Sequence, residues 1–257
     1  MIFTPTCLAL QDNQEILRFE LSEAKYRQKN VTRLEYLLFS GVKVKPTQGK
    51  KQMSYVSIRE VTPIRGKEII LEERMKALSA VMANHGAKSA LYYVAAGDGA
   101  GRYDLQNWYA SIEDGAQSFQ AYGADPEYQA IMNKRAADPV GDVVGPWIGR
   151  MLYGAPKGLR PVVVHRDYHA PRNALAKAIE LAPQLDALMQ EIDVEVGLGA
   201  PMMKDDHEMF RVVYRFNSMT HWGQSVDKMI ADDRFASLVN EAHEAATLRS
   251  SRLLVLK

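Results

Sequence analysis

The chain has 257 residues, 47% hydrophobic and 25% charged, a composition suited to one large core or two smaller ones and without a signature of disorder. Its 32 basic and 31 acidic residues leave a formal charge of +1, so no broad charged surface is available to nucleic acid or an anionic membrane. The single cysteine, Cys7, excludes an internal disulfide and a thiolate-rich metal site, and fits a reducing, cytoplasmic setting.

The opening MIFTPTCLAL has no basic residue before its short apolar run and makes a poor signal peptide. No apolar run approaches the ~20 residues of a membrane span. Residues 11–40 carry Ile16, Phe19, Leu34, Leu37 and Leu38 at helix-like spacings, and GVKVKPTQGKK reads as a linker. Residues 1–52 are therefore expected to form a helical extension ahead of the main body.

From Met53 onward two stretches superpose without a gap. Asp125 and Asp232 differ by 107 positions, as do Arg59 and Arg166, Ser111 and Ser218, Tyr128 and Phe235, and Gly86 and Asp193. Each stretch opens with a strand pattern, YVSIREV or RPVVVHRDY, and continues into an amphipathic helix, at 67–86 or 174–193. Pro183 is expected to kink the second of these. Two further strands joined by a hairpin follow in each, SALYYVAA with YDLQNWYAS and VEVGLGA with MFRVVYRFN. AGDGAGR at 96–102 is spaced G-x-G-x-G between strands and suits a hairpin turn, not a dinucleotide loop. In ADPEYQAI and ADDRFASL the aspartate is placed to cap a restarting helix, with Tyr128 or Phe235 turned toward the sheet. WIGRMLY and RLLVLK supply the closing strands.

The order is βαββαβ, twice, over 53–158 and 159–257. The expected fold is α+β: two tandem ferredoxin-like units that cover each other's apolar sheet face in an intramolecular α/β barrel. This order, with D-P-E-Y-Q or D-D-R-F-A in the second helix, resembles the dimeric α/β-barrel superfamily over residues 53–257. That superfamily includes NIPSNAP-type proteins, antibiotic-biosynthesis monooxygenases, EthD-like proteins and stress-responsive barrel proteins. The resemblance implies a small-ligand pocket and hosts many chemistries, so the site has to be sought in the residues.

VHRDYHAPR, 164–172, is the densest polar stretch. Alternation puts Arg166 and Tyr168 on one face with Val162 and Val164, and His165 and Asp167 on the other. His169, Arg166 and His165 are candidates for proton transfer or carboxylate binding. Tyr214, in an aromatic strand face, is a candidate for orienting a substrate carbonyl. Tyr168, Trp108, His221 and Trp222 are candidates for the walls of a pocket. His165 and His169 stand four residues apart along a strand, about 13 Å, too far for a shared metal unless the chain turns between them. KDDH, 204–207, reads as a solvated loop.

The resemblance implies, as the main functional expectation, a cofactor-independent monooxygenase or isomerase acting on a small apolar or aromatic molecule, with His and Arg handling a proton or an enolate. The resemblance extends to chlorite dismutase-like and coprohaem decarboxylase-like barrels, which implies haem as the alternative. His221 or His243 would then be the axial ligand and Arg166 or Arg215 a propionate partner. A non-catalytic carrier or assembly protein is the third reading. The expected partner is a small molecule, with neither nucleic acid nor membrane, and homo-oligomers would form through sheet edges.

Overall fold

The computed structural model describes residues 52–171 and 174–257; the helical extension expected over 1–52 lies almost wholly outside the described residues. The first half runs β1 (Tyr55–Pro63), α1 (Glu68–Asn84), β2 (Lys88–Gly97), β3 (Tyr103–Tyr109), α2 (Ile112–Gly123), α3 (Pro126–Ala137) and β4 (Gly141–Tyr153). The second runs β5 (Val162–His169), α4 (Leu175–Gln190), β6 (Glu195–Met203), β7 (Met209–Phe216), α5 (Met219–Ala231), α6 (Asp233–Ala245) and β8 (Thr247–Leu256).

Local chemistry sets the helix boundaries at matching places. Ser111 Oγ accepts from the Asp114 amide and Ser218 Oγ from the His221 amide, both at 3.0 Å, and so cap α2 and α5. Asp125 accepts from the Glu127 amide at 2.7 Å and Asp232 from the Arg234 amide at 2.9 Å. These two caps restart the helix in each half, with Pro126 in the first turn of α3 where no amide is needed. Gly86 and Asp193, which follow α1 and α4, both adopt positive φ, 89° and 57°.

Eight antiparallel strands close a barrel in the order β1-β3-β2-β8-β5-β7-β6-β4. Within each half this is the ferredoxin-like arrangement, fourth strand beside first, then third, then second. The registers match too. Arg59 pairs with Leu105 and Leu91 with Leu105 in the first half, and Arg166 with Val212 and Leu198 with Val212 in the second, each shifted by the same 107 positions. The halves join through β2–β8 and β4–β6. Closure pairs every described strand on both sides.

The helix-facing sides carry the apolar cores. Val61, Leu71, Leu78, Met82 and Leu105 pack in the first half, with Tyr128 against them. Val162, Met189, Val196 and Phe216 pack in the second, with Phe235 against them. The inward face departs from the apolar surface expected for it. Glu60, Asp104, Gln106, His165, Asp167, Arg211, Arg215 and Arg252 occupy it beside Val56, Ile58, Trp108 and Val213. Burial in a closed barrel does not require apolarity where charges can pair across the lumen.

Candidate active site in the barrel

Strand alternation builds this interior. Ile58 and Glu60 of β1, Asp104, Gln106 and Trp108 of β3, His165 and Asp167 of β5, and Arg211, Val213 and Arg215 of β7 sit at every second position and face inward. Two ion-pair systems hold the charges. Arg211 donates from Nε and Nη2 to the two Asp167 oxygens at 2.5 and 2.7 Å. Arg252 donates from Nη1 to Glu60 at 2.9 Å and lies 3.7 Å from the Asp104 carboxylate.

The protonation states follow from burial and neighbours. Burial, with the Glu60 charge adding to it, pushes the Asp104 carboxyl up to about 6 against the pull of Arg252. Burial pushes Asp167 the same way, but Arg211, through charge and hydrogen bonds, more than offsets it and keeps that carboxyl below its usual range. His165, 3% exposed, is held well below the usual histidine range by burial and by Arg211, Arg252 and Arg215. It is therefore a neutral imidazole. Burial likewise brings Arg215 down to about 10.

A cleft of about 450 Å³, counted out to its mouth, opens beside these groups. Its walls are apolar: Val56, Ile58, Trp108, Met151, Met209 and Val213. Four polar side chains of its lining each have a buried atom with no hydrogen-bond partner among the described residues: Gln106 Nε2, Trp147 Nε1, His165 Nδ1 and Arg211 Nη1. Gln106 is 3% exposed and Arg211 6%, so these are desolvated groups and not surface ones. Arg211 and Lys204 lie 4.8 and 5.1 Å from the centre of the Trp147 ring and draw positive charge to the cleft. Lys204, expected in a solvated loop, is half-buried there. Apolar walls with a few convergent donors suit a small aromatic molecule bearing an oxyanion or a carbonyl.

The residues singled out from sequence fall in several places. His165 and Trp108 share the cleft. Tyr168 and Tyr214 face the helices of the second half, lining a separate apolar cavity of about 560 Å³ with Leu181, Leu185 and Leu238. There Tyr168 stacks on Phe210 at 5.2 Å, and the Arg166 guanidinium lies 5.6 Å from the Tyr214 ring centre. Burial raises the Tyr214 phenol beyond its ordinary range. His169 ends β5 at the barrel rim, half-buried, with Nδ1 4.0 Å from Asp206. Trp222 packs on the second core beside Phe216.

His221 is a helix-start residue whose ring is already engaged. Nδ1 accepts from the Asn217 amide at 3.1 Å, and Nε2 therefore donates to the Ile192 carbonyl at 2.8 Å. His243 is exposed on α6, and Arg215 points into the barrel, on the opposite sheet face from His221's helix. These residues do not fit a haem site of the expected kind. Asp167, the carboxylate between His165 and His169, is committed to Arg211, and no group of three metal-ligating side chains occurs among the described residues.

Asp104, Gln106, Trp147, Arg211 and Arg252 escaped the sequence reading. Arg211 and Arg215 alternate with an aromatic face and look like the solvated side of a half-buried strand. The signal that finds them is closure itself, since in a two-unit barrel both strand faces are buried.

No family model and no curated relative matches the chain. Several solved structures share its fold. A protein from Lactobacillus acidophilus, described provisionally as a monooxygenase, superposes with a TM-score of 0.56 at 10% identity over 80% of this chain and 94% of its own. Another, from Fusobacterium nucleatum subsp. nucleatum and described in the same way, gives 0.57 at 7% identity over 80% and 94%. An anthrone oxidase-like protein gives 0.53 at 11% identity over 80% and 93%. At these identities the likeness establishes the fold alone, an α+β barrel of eight antiparallel strands closed within one polypeptide. Among the described residues no helix is long and apolar enough to cross a membrane.

Proposed function

We propose that the protein is a cofactor-independent monooxygenase that oxidises a small enolisable aromatic ketone or phenol in the barrel cleft. The observation that carries this reading is that the lining of an apolar cleft holds three donor side chains with buried, unpartnered N–H atoms among the described residues, Gln106 Nε2, Trp147 Nε1 and Arg211 Nη1, beside the neutral His165. In a desolvated site such donors stabilise an oxyanion far more than water would allow, which lowers the pKa of a bound enol. The provisional monooxygenases and the anthrone oxidase-like protein among the fold neighbours are consistent with this class of substrate.

The step balances as follows. The ring CH₂ conjugated with the carbonyl, opposite it across the central ring in anthrone, loses one proton, and the enolate so formed is oxidised by O₂. A C–O bond forms and the O–O bond breaks; one oxygen atom becomes the new carbonyl and the other leaves as water with the two hydrogens. His165 is neutral and encircled by arginines, so it serves as a hydrogen-bonding partner and not as the base. Asp104 lies behind this wall, fully buried, held near 6 and two positions from Gln106 on the same strand face, about 6.6 Å along β3, and is the carboxylate we assign as proton acceptor.

Oxygen uptake by the purified, metal-stripped protein with anthrone tests the reading. Turnover is expected, and Gln106→Leu is expected to lower kcat about 100-fold, the usual cost of one oxyanion donor, with KM little changed. Saturable binding of anthrone without oxygen uptake would make the protein a carrier instead, and the absence of binding would remove the cleft from consideration.

A further inference from the structure

A second ligand site is built on the opposite face of β1. Arg59 points away from the barrel, toward the helices, and is 8% exposed. Its Nη2 donates to the Tyr122 hydroxyl at 3.0 Å, while Nη1 has no hydrogen-bond partner among the described residues. It reaches a cavity of about 740 Å³, counted to its mouth, between β1, α1, α3 and the start of β4. Two more arginines, Arg74 and Arg135, line that cavity, and no acidic residue does. Arg74 is neutralised from outside by Asp138, which accepts its Nη2 at 2.6 Å. No ion pair involving Arg59 or Arg135 forms among the described residues, so two arginines without a carboxylate partner line one space. The remaining wall is apolar, chiefly Leu71, Met75, Leu78 and Ile131.

The strand is shaped around this point. Opposite Arg59, β4 inserts an extra residue: Ile58 pairs with Trp147 but Glu60 with Val144, so Gly145 and Pro146 face one residue. Gly145, at φ 95°, lines the cavity, and a Cβ there would come within 2.8 Å of the Ile58 carbonyl oxygen. A bulge re-aims the strand beside the arginine. The cavity on the helix side of the second half has no arginine in its lining and is walled by Leu181, Leu185, Leu198 and Val212. Arg166, which corresponds to Arg59, turns to the Tyr214 ring instead.

We propose that the first-half cavity binds an amphipathic organic anion, an apolar body ending in a carboxylate or phosphate that takes the free guanidinium faces of Arg59 and Arg135. Burying a guanidinium with an unmet donor is costly, and an anionic head that accepts from it offsets that cost. The proposal stands apart from the monooxygenase reading, since the two spaces lie on opposite faces of β1.

Calorimetric titration with sodium decanoate, decyl phosphate and 1-decanol tests it. At least one of the two anions is expected to bind saturably and at least tenfold more tightly than the alcohol; which is tighter identifies the head group. Arg135→Gln, at an exposed position that leaves the core intact, is expected to weaken the anion about tenfold, and Arg59→Gln at least as much. Gln106→Leu, in the barrel cleft, is expected to leave this binding unchanged, so the two sites fail separately. Equal affinity for decanol and decanoate, no saturable binding, or no effect of Arg135→Gln would overturn the proposal.

Discussion

On β1 and β3, Glu60 stands beside Asp104; 107 positions later, on β5 and β7, Asp167 stands beside Arg211. The backbone frame is the same, yet the second half holds a self-sufficient bidentate ion pair and the first half two neighbouring acids. Those acids depend on Arg252 from β8, which the chain order assigns to the other half. Trp108 and Arg215, Gln106 and Val213, and Ile58 and His165 are likewise matched in place and different in chemistry. A barrel made of two similar units thus becomes asymmetric inside: one half contributes two acids, an amide and two indoles, the other the Asp167–Arg211 pair, Arg215, Arg252 and the imidazole. The cleft lies where they meet.

Breaking the borrowed pairing gives the largest expected effect. Arg252→Met leaves Glu60 and Asp104 as uncompensated buried acids and should cost about 3–5 kcal/mol in urea unfolding at pH 7. Part of that loss should return as the pH falls and the acids take up protons. A variant as stable as the parent would mean that the first-half acids do not need the second half.

The next effect sharpens the contrast between the aspartates. The Asp104 carboxyl, pushed up to about 6, lies above the ordinary aspartate value of about 3.9, so the folded state binds its proton more tightly than the unfolded chain does. Its destabilisation, up to about 3 kcal/mol, is fully present above pH 6 and is relieved as the pH falls from about 6 toward 4. Asp104→Asn should remove this rise in stability on acidification. Asp167, held below its usual range by Arg211, works in the opposite sense: its contribution is present above about pH 4 and is lost as the pH falls through its lowered pKa. Unfolding curves for Asp104→Asn that keep the parent's dependence between pH 7 and 4.5 would refute the assignment.

The smallest effect probes what the halves have in common. Ser111→Ala and Ser218→Ala each delete one helix cap and should each cost about 1 kcal/mol, additively, because the two helices do not share a cap. Thermal unfolding of the two single variants and the double variant measures this; a large difference between the singles would show that the matching caps are not energetically equivalent.

Much of the fold was legible because it rests on local signals. The caps at Asp125 and Asp232, the turn glycines and the alternation in β5 and β7 can be read from single stretches, and the constant offset of 107 carries the registers. His165 and Trp108 were also found, as a polar residue and an aromatic on strand faces. Asp104, Gln106, Arg211 and Arg252 were not, because strand alternation separates two faces without saying which is solvated. Only closure makes the polar face an interior. His221 misled for the converse reason: its ring serves the local α5 start, satisfied by Asn217 and Ile192, which no spacing reveals.

The central claim is that the cleft favours an oxyanion, and the absorbance of bound 4-nitrophenol titrated against pH tests it most directly. A bound phenol pKa lower than in water is predicted, since Arg211, Gln106 and Trp147 would hold the phenolate. A pKa raised on binding would show that burial alone governs the cleft and would contradict the account.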